Sequence, residues 1–291
     1  MPGDFDLNTS FSPIKNISDT ARWVAAYRAL ESERPDALFQ DPFARLLAGE
    51  RGQEIFRAVC SGESDARLMA VRTRVLDEFI LQAIKKEDVD TVLNLAAGLD
   101  TRPYRMPLSV SLQWLEVDLP EILSYKEQKL TSEQPVCALE LVKLDLCERT
   151  SRNELFLQVN TGAKQVLVVT EGLLVYLTPM QVGSLAADLH AQSNFRWWLI
   201  DLPSPLSLKL LQMRWNKYLA VANARLQFAP EEVSEFFLPH GWRVVDVRPY
   251  LEEAYRLKRE VPLVWISRLT ARFPTKNLFE ICGGIVLLER V

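Results

Sequence analysis

The chain has 291 residues and a mass of 33.3 kDa, with 48% hydrophobic residues, 25% charged residues and a mean hydropathy of -0.02. That length allows one large α/β domain or two small ones, and the composition is that of a soluble globular protein with a sizeable core, which excludes disorder over most of the chain. The net charge of -4, from 34 basic and 38 acidic residues, leaves no basic excess to hold a phosphate backbone, so no nucleic-acid partner is expected.

The apolar stretches fall far short of the roughly 20 residues that span a bilayer. The opening MPGDFDLNTS has neither the basic start nor the apolar run of a secretory signal, and the expectation is a cytoplasmic protein without a membrane partner. Cys60, Cys137, Cys147 and Cys282 stand apart with no CxxC pair, which predicts buried free thiols rather than a zinc site or disulfides. His190 and His240 are the two histidines. They are too few for a histidine-rich centre, and no metal is expected.

Before residue 90 the pattern is helical, near Asp19 to Leu30, Pro42 to Leu47 and Asp65 to Lys85. Residues 1–88 are therefore predicted to cap a core of residues 89–291 within a single domain. In the core, seven apolar β-rich runs follow one another: TVLNLA from Thr91, QWLEVD from Gln113, LELVKLDL from Leu139, QVLVVTE from Gln165, RWWLIDL from Arg196, WRVVDVRPY from Trp242 and GGIVLLER from Gly283. Helical patterns between the early runs predict an α/β fold with a mostly parallel seven-stranded sheet covered by helices on both faces. Pro203, Pro205 and a helical stretch from Leu206 to Ala224 interrupt the series after the fifth run. That insertion, over about residues 203–229, is placed as a helical lid beside the strand ends.

The first strand runs into Ala96-Ala97-Gly98-Leu99-Asp100-Thr101, and Asp118 closes the next strand. A small-residue turn followed by a strand-end acid is the layout of a nucleoside-binding βαβ unit, and a structural strand-to-helix turn has the same look. Asp118, Asp145 and Glu171 all fall at the carboxyl ends of strands, the edge where open α/β sheets bind ligands. Carboxylates accept hydrogen bonds and donate none, so the ligand should bring hydroxyls, an amine or positive charge, and no dense phosphate. S-adenosylmethionine has these groups; NAD, NADP and ATP would set phosphates against several acids. Each acid taken alone could instead be solvated or cap a helix.

On the predicted helix from Asp65 to Lys85, Leu68, Val71, Val75, Leu76 and Phe79 form an apolar stripe that includes Arg72. Arg67 and Arg74 lie nearly opposite. A guanidinium on the buried face needs an anionic partner, either a ligand carboxylate or a protein acid.

These residues lie in a wider pattern. SDTARWVAAYRALESERPDALFQDPFARLLAG from Ser18, RTRVLDEF from Arg72, VLNLAAGLDTRPYRM from Val92, WLEVDLPEIL from Trp114, VKLDL from Val142 and VTEGLLVYLTP from Val169 together resemble the leucine carboxyl methyltransferase family. Within it the likeness is to the bacterial S-adenosylmethionine-dependent O-methyltransferases that include polyketide-tailoring enzymes. The resemblance implies a Rossmann-like class I methyltransferase fold. It implies that Arg72 holds the cofactor carboxylate, that the turn with Ala96 and Gly98 lies against the cofactor, and that Asp118 takes the ribose hydroxyls. It further implies that Asp145 and Leu146 meet the adenine and that Glu171 faces the amino-acid end. The family's LGAGLDTR reads LAAGLDTR here, with Ala96 in place of the first glycine.

The expected chemistry is in-line methyl transfer to a carboxylate or hydroxyl oxygen of a small-molecule or peptidic acceptor. A carboxylate acceptor is ionised at neutral pH and needs no base, whereas a phenol needs help. Tyr176 is the candidate to orient the acceptor oxygen, and Arg22 and Arg214 are candidates to draw in an acceptor carboxylate; a packed tyrosine and solvated arginines are the competing readings. Two other functions are weighed. One is an NAD(P)-dependent reductase, for which Tyr125 and Lys129 supply a Tyr-x-x-x-Lys match, read as an exposed helix face. The other is a cofactor-binding partner protein without catalysis.

Overall fold

Seven strands form one sheet in the order β3-β2-β1-β4-β5-β7-β6. They are β1 (Thr91–Leu95), β2 (Gln113–Asp118), β3 (Ala138–Lys143), β4 (Val166–Thr170), β5 (Phe195–Leu202), β6 (Trp242–Pro249) and β7 (Gly284–Arg290). The computed structural model describes residues 13–59, 63–222, 224–260 and 278–291. β1 and β4, read as TVLNL and VLVVT, are buried along their whole length, as strands covered on both faces should be. Strands β1 to β5 pair in parallel, and β7 enters antiparallel between β5 and β6. All seven predicted runs are strands. The chain order reverses between β1 and β4, which opens a crevice at their carboxyl ends.

Alternation along the strands sorts the core into two layers. Leu93, Leu95 and Val168 pack on one face with Trp198 and Trp242. Val92, Leu167 and Val169 pack on the other with Trp114 and Phe79.

The chain before β1 forms α1 (Ser18–Ser32), α2 (Ala44–Val59) and α3 (Glu63–Lys86). α1 packs on α2 and α3, and α3 reaches β5 and β7. The predicted segment from Pro42 to Leu47 is only the start of α2, which bends at Gly49, where φ is 58°. A Cβ there would lie 3.2 Å from the Tyr125 hydroxyl. Among the described residues the remaining helices are α4 (Arg102–Arg105), α5 (Pro120–Lys129), α6 (Arg149–Gly162), α7 (Pro179–His190), α8 (Pro205–Leu219), α9 (Val233–Phe237), α10 (Tyr250–Arg256) and α11 (Leu278–Cys282).

The insertion predicted as a lid contains α8. Ser204 Oγ accepts from the Ser207 amide at 3.0 Å and Pro205 occupies the first turn, so the helix starts where capping chemistry places it. It ends at Leu219, before the predicted Ala224, and passes into a tight 3-10 turn over Ala220–Ala222. Beyond it the chain is tied down where the Gln227 amide donates to the Val175 carbonyl at 2.7 Å.

The thiols depart from expectation: Cys137 is buried, Cys147 is exposed and Cys282 is half-buried, while Cys60 lies outside the described residues. Cys147 sits in the loop after β3, where no layer covers it. Both histidines serve packing. His190 bonds to the Val291 carbonyl at 3.0 Å, and His240 lies against Gly183. Among the described residues no helix is long and apolar enough to cross a membrane.

Candidate active site

A cavity of about 1030 Å³ opens at the carboxyl edge of the sheet and is roofed by α1, α3 and α8. Ala96, Gly98, Asp118, Asp145, Leu146 and Glu171, brought together from four strand ends, line it.

Immediately after β1 the backbone turns through left-handed conformations at Ala96 and Gly98, both with φ of 55°. A Cβ on Gly98 would come within 3.1 Å of the Ala21 methyl, so the close approach of α1 adds to the conformational demand for glycine. The turn aims the Gly98 amide at Asp118 Oδ2, 2.6 Å away, while the Leu119 amide donates to Oδ1 at 2.7 Å. Burial pushes the Asp118 carboxyl above its ordinary value, against the pull of these two amides. Asp145 accepts from the Cys147 amide at 2.9 Å. Among the described residues no salt bridge reaches Asp118 or Asp145, so both keep lone pairs for a ligand that donates hydrogen bonds.

Arg72 lies on the buried face of α3, 8% exposed, while Arg67 and Arg74 are turned outward to Glu63 and Glu78. Its Nε is 3.0 Å from Glu171 Oε1, close enough for an ion pair although the N–H is not aligned on that oxygen, and its Nη1 is 3.4 Å from Asp201 Oδ2. Burial opposes the charge on Arg72, but Glu171 and Asp201 outweigh it and raise its pKa. Gly172, at φ 66°, keeps this space open: a Cβ there would stand 3.4 Å from Arg72 Nη1.

A second cation lies behind Glu171. Arg102, 2% exposed, holds Asp77 at 2.6 Å, Asp100 at 2.9 Å and Glu171 at 2.8 Å, and Arg105 adds a second grip on Asp77 at 2.7 Å. Burial pushes the Asp100 and Glu171 carboxyls up, but the cations around them together outweigh it, Arg102 with Lys126 and Arg105 for Asp100 and Arg102 with Arg72 for Glu171, and both are held below their ordinary values. For Asp201 burial prevails over Arg72 and the Gly172 amide, and the carboxyl is raised. Tyr250 Oη donates to it at 3.4 Å.

Asp77, Asp100, Arg102, Asp201 and Tyr250 were not singled out from sequence. Asp201 is the last but one residue of RWWLIDL and carries much the same strand-end signal as Asp118. Arg102 sits in a four-residue helix with no periodicity to reveal its burial.

Tyr176 closes a 3-10 turn after β4 and lines the cavity. Burial raises its pKa, against the Arg72 charge, and the Thr20 hydroxyl lies beside it. Its phenol is therefore neutral and can donate a hydrogen bond. Arg214, on α8, also lines the cavity, but both of its terminal nitrogens grip Asp65 of α3, at 2.9 and 2.5 Å. It joins lid to cap. Arg22 is not brought to the site: its guanidinium stacks 3.7 Å above the Tyr125 ring, on the α5 side of α1. That stacking also corrects the Tyr-x-x-x-Lys reading. Tyr125 is half-buried against α2, donating to the Leu47 carbonyl at 3.0 Å, and is not an exposed helix face.

The sheet order and the acids gathered along its carboxyl edge are those of a nucleoside-binding α/β fold. The chain belongs to the leucine carboxyl methyltransferase family, whose profile matches residues 21–190. A protein of Mycolicibacterium paratuberculosis (strain ATCC BAA-968 / K-10), named "Putative S-adenosyl-L-methionine-dependent methyltransferase", is 29% identical over 263 residues, which cover 81% of this chain and 84% of that one. One of the same name from Mycolicibacterium gilvum (strain PYR-GCK) is 34% identical over 195 residues, covering 61% and 64%. Among solved structures, a DUF574 family protein from Streptomyces avermitilis MA-4680 shares the fold, with a TM-score of 0.60, 10% identity and coverage of 94% and 97%.

Proposed function

We propose that this enzyme transfers a methyl group from S-adenosylmethionine to an oxygen of its acceptor. S-adenosylmethionine is its cofactor. Bound, it supplies a methyl group on a cationic sulfur: the oxygen–carbon bond forms as the carbon–sulfur bond breaks, the bonding pair stays on sulfur, and an acceptor hydroxyl gives its proton to water.

The observation that carries this reading is the charge at the sheet edge. Asp118 and Asp145 face the cavity with only amides behind them, a setting that favours ribose hydroxyls, an adenine amine and positive charge and repels phosphates. Asp118 takes the ribose diol, and Asp145 with Leu146 takes the adenine. Glu171 receives the ammonium group and Arg72 the carboxylate of the methionine end, with Arg102 keeping Glu171 ionised and in place. Tyr176 orients the acceptor oxygen by donation. Since the methyl donor is already activated, the chain's work is alignment and exclusion of water.

Calorimetry with S-adenosylhomocysteine and with NADPH tests the proposal. Binding of the first alone is expected, and binding of NADPH alone would overturn it. Arg72→Ala should weaken S-adenosylhomocysteine by about 2–5 kcal/mol, since it strips a buried carboxylate of its cation. Unchanged affinity in the folded variant would remove Arg72 from the site.

A further inference from the structure

We infer that the acceptor is an uncharged, largely apolar molecule that presents a hydroxyl, bound in a chamber between α1, α3 and α8 and walled by Trp23, Met69, Leu211 and Trp215. The inference deepens the methyl-transfer reading and rests on it.

The first support is space. At about 1030 Å³ the cavity stands at the top of the roughly 300–1,000 Å³ that a single ligand site occupies. The acids that suit a nucleoside lie at the strand ends, and the remainder extends under the lid. There Trp23, Leu219 and Leu226 form an apolar cluster against which Met69, Leu211 and Trp215 pack, and all six line the cavity. The two indoles meet edge to face, with centroids 4.9 Å apart and planes at 79°.

Charge narrows the class further. Among the described residues, every cation that lines the cavity already faces a protein acid: Arg28 faces Asp41 at 2.8 Å, Arg72 faces Glu171 at 3.0 Å and Arg102 faces Asp77 at 2.6 Å. Arg149 and Arg152 share Asp188, and Arg214 is held by Asp65. The acids left without a cation, Asp118 and Asp145, are negative. Arg72, whose Nε lacks an aligned partner, is committed to the cofactor carboxylate in the methyl-transfer reading, so an acceptor carboxylate under the lid would lose its water and gain no cation of its own, which is a large penalty.

On the apolar walls, the indole groups that lack partners among the described residues are neutral donors. Trp23 Nε1 and Trp215 Nε1 are buried with no acceptor among the described residues. Indole N–H groups donate to carbonyl, ether or hydroxyl oxygens without needing a charge on the ligand. Aromatic walls with a few neutral donors suit a flat, weakly polar molecule.

The test uses the full chain and a matched pair of probes, 1-naphthol and 1-naphthoate, which at pH 7 differ in charge while sharing one ring system. Both are titrated by tryptophan fluorescence and calorimetry, with and without saturating S-adenosylhomocysteine. The naphthol should bind at least about tenfold more tightly than the naphthoate. Equal or tighter binding of the naphthoate, or binding of neither, overturns the inference. Leu211→Lys, which puts an unpaired ammonium under the lid, should bring naphthoate level with naphthol or above it; an unchanged ratio in this folded variant refutes the placement of the chamber. Failure of S-adenosylhomocysteine to bind would count against the methyl-transfer reading instead, because the probe ratio is also measured without it.

Discussion

The two halves of the cavity are built by different rules. On the sheet side, polar groups come from the ends of β1, β2, β4 and β5 and the loop after β3, and most are fixed by backbone amides or by buried ion pairs: Gly98 to Asp118, Gly172 to Asp201, Arg102 to Glu171. Under the lid, Trp23, Met69 and Trp215 come from helices far apart in the chain and meet through apolar packing, with the Arg214–Asp65 pair joining lid to cap. The difference teaches where rigidity resides. The sheet side is over-determined by charge and hydrogen bonds, whereas the other side is held mainly by apolar contacts between helices.

The severest way to break this contrast is to remove the cation beneath the sheet side. Arg102→Met leaves Asp77, Asp100 and Glu171 facing one another in a buried space, and should cost about 3–5 kcal/mol of stability in urea unfolding at pH 7. The pH dependence has a definite sign. In the wild type, Asp100 and Glu171 are held below their ordinary values, so their contribution is complete at neutral pH and is lost progressively as pH falls from the unfolded-state carboxyl range of about 4 through the lowered values. Without Arg102 both values rise, against the remaining pull of Arg72 on Glu171 and of Lys126 and Arg105 on Asp100, so the variant's deficit in stability should shrink as pH falls from about 7 through about 4. A loss under about 1 kcal/mol with a flat pH profile would show that the network does not hold this half together.

How much could be read from the chain follows the same division. The seven strands were legible because apolar β-branched runs have few alternatives in a covered sheet, and Asp118, Asp145 and Glu171 followed because topology gathers strand ends at one edge. Arg72 was legible because a long amphipathic helix has a definite buried face. Arg22 was misplaced on α1, where Trp23, Ala25, Ala26, Tyr27, Arg28 and Ala29 are all buried, so periodicity does not distinguish the side that meets the cavity from the side that meets α5. Arg28, six residues on, is the arginine that lines it. Arg102 was hidden for another reason: its partner Asp77 belongs to α3, and only the tertiary fold brings the two to 2.6 Å.

A gentler variant sharpens the contrast from the lid side. Arg214→Gln removes the latch to Asp65, a pair in which Arg214 is 37% exposed, so solvent screening limits the loss to about 0.2–1 kcal/mol. The expected signature is faster limited proteolysis within α8, with S-adenosylhomocysteine affinity within about twofold of wild type, because a screened pair on the lid carries little of the binding energy. A large fall in cofactor affinity would show that lid and sheet side form one unit.

The smallest expected effect tests the place where, among the described residues, a non-glycine residue of the sheet side carries a left-handed backbone into the cavity. Ala96 is held at φ 55°, a conformation that costs an alanine about 1–2 kcal/mol. Glycine removes that strain but surrenders about 0.4–1 kcal/mol of unfolded-state restriction. Ala96→Gly should therefore stabilise the protein by about 0.5–1 kcal/mol, read as a rise in Tm of about 1–3 °C. Cofactor affinity should hold, because the amide that orients Asp118 belongs to Gly98. If Ala96→Gly instead lowers Tm, the alanine methyl contributes more by packing than its backbone loses by strain, and the departure from the family glycine is a contact with the bound nucleoside or its neighbours rather than a tolerated defect.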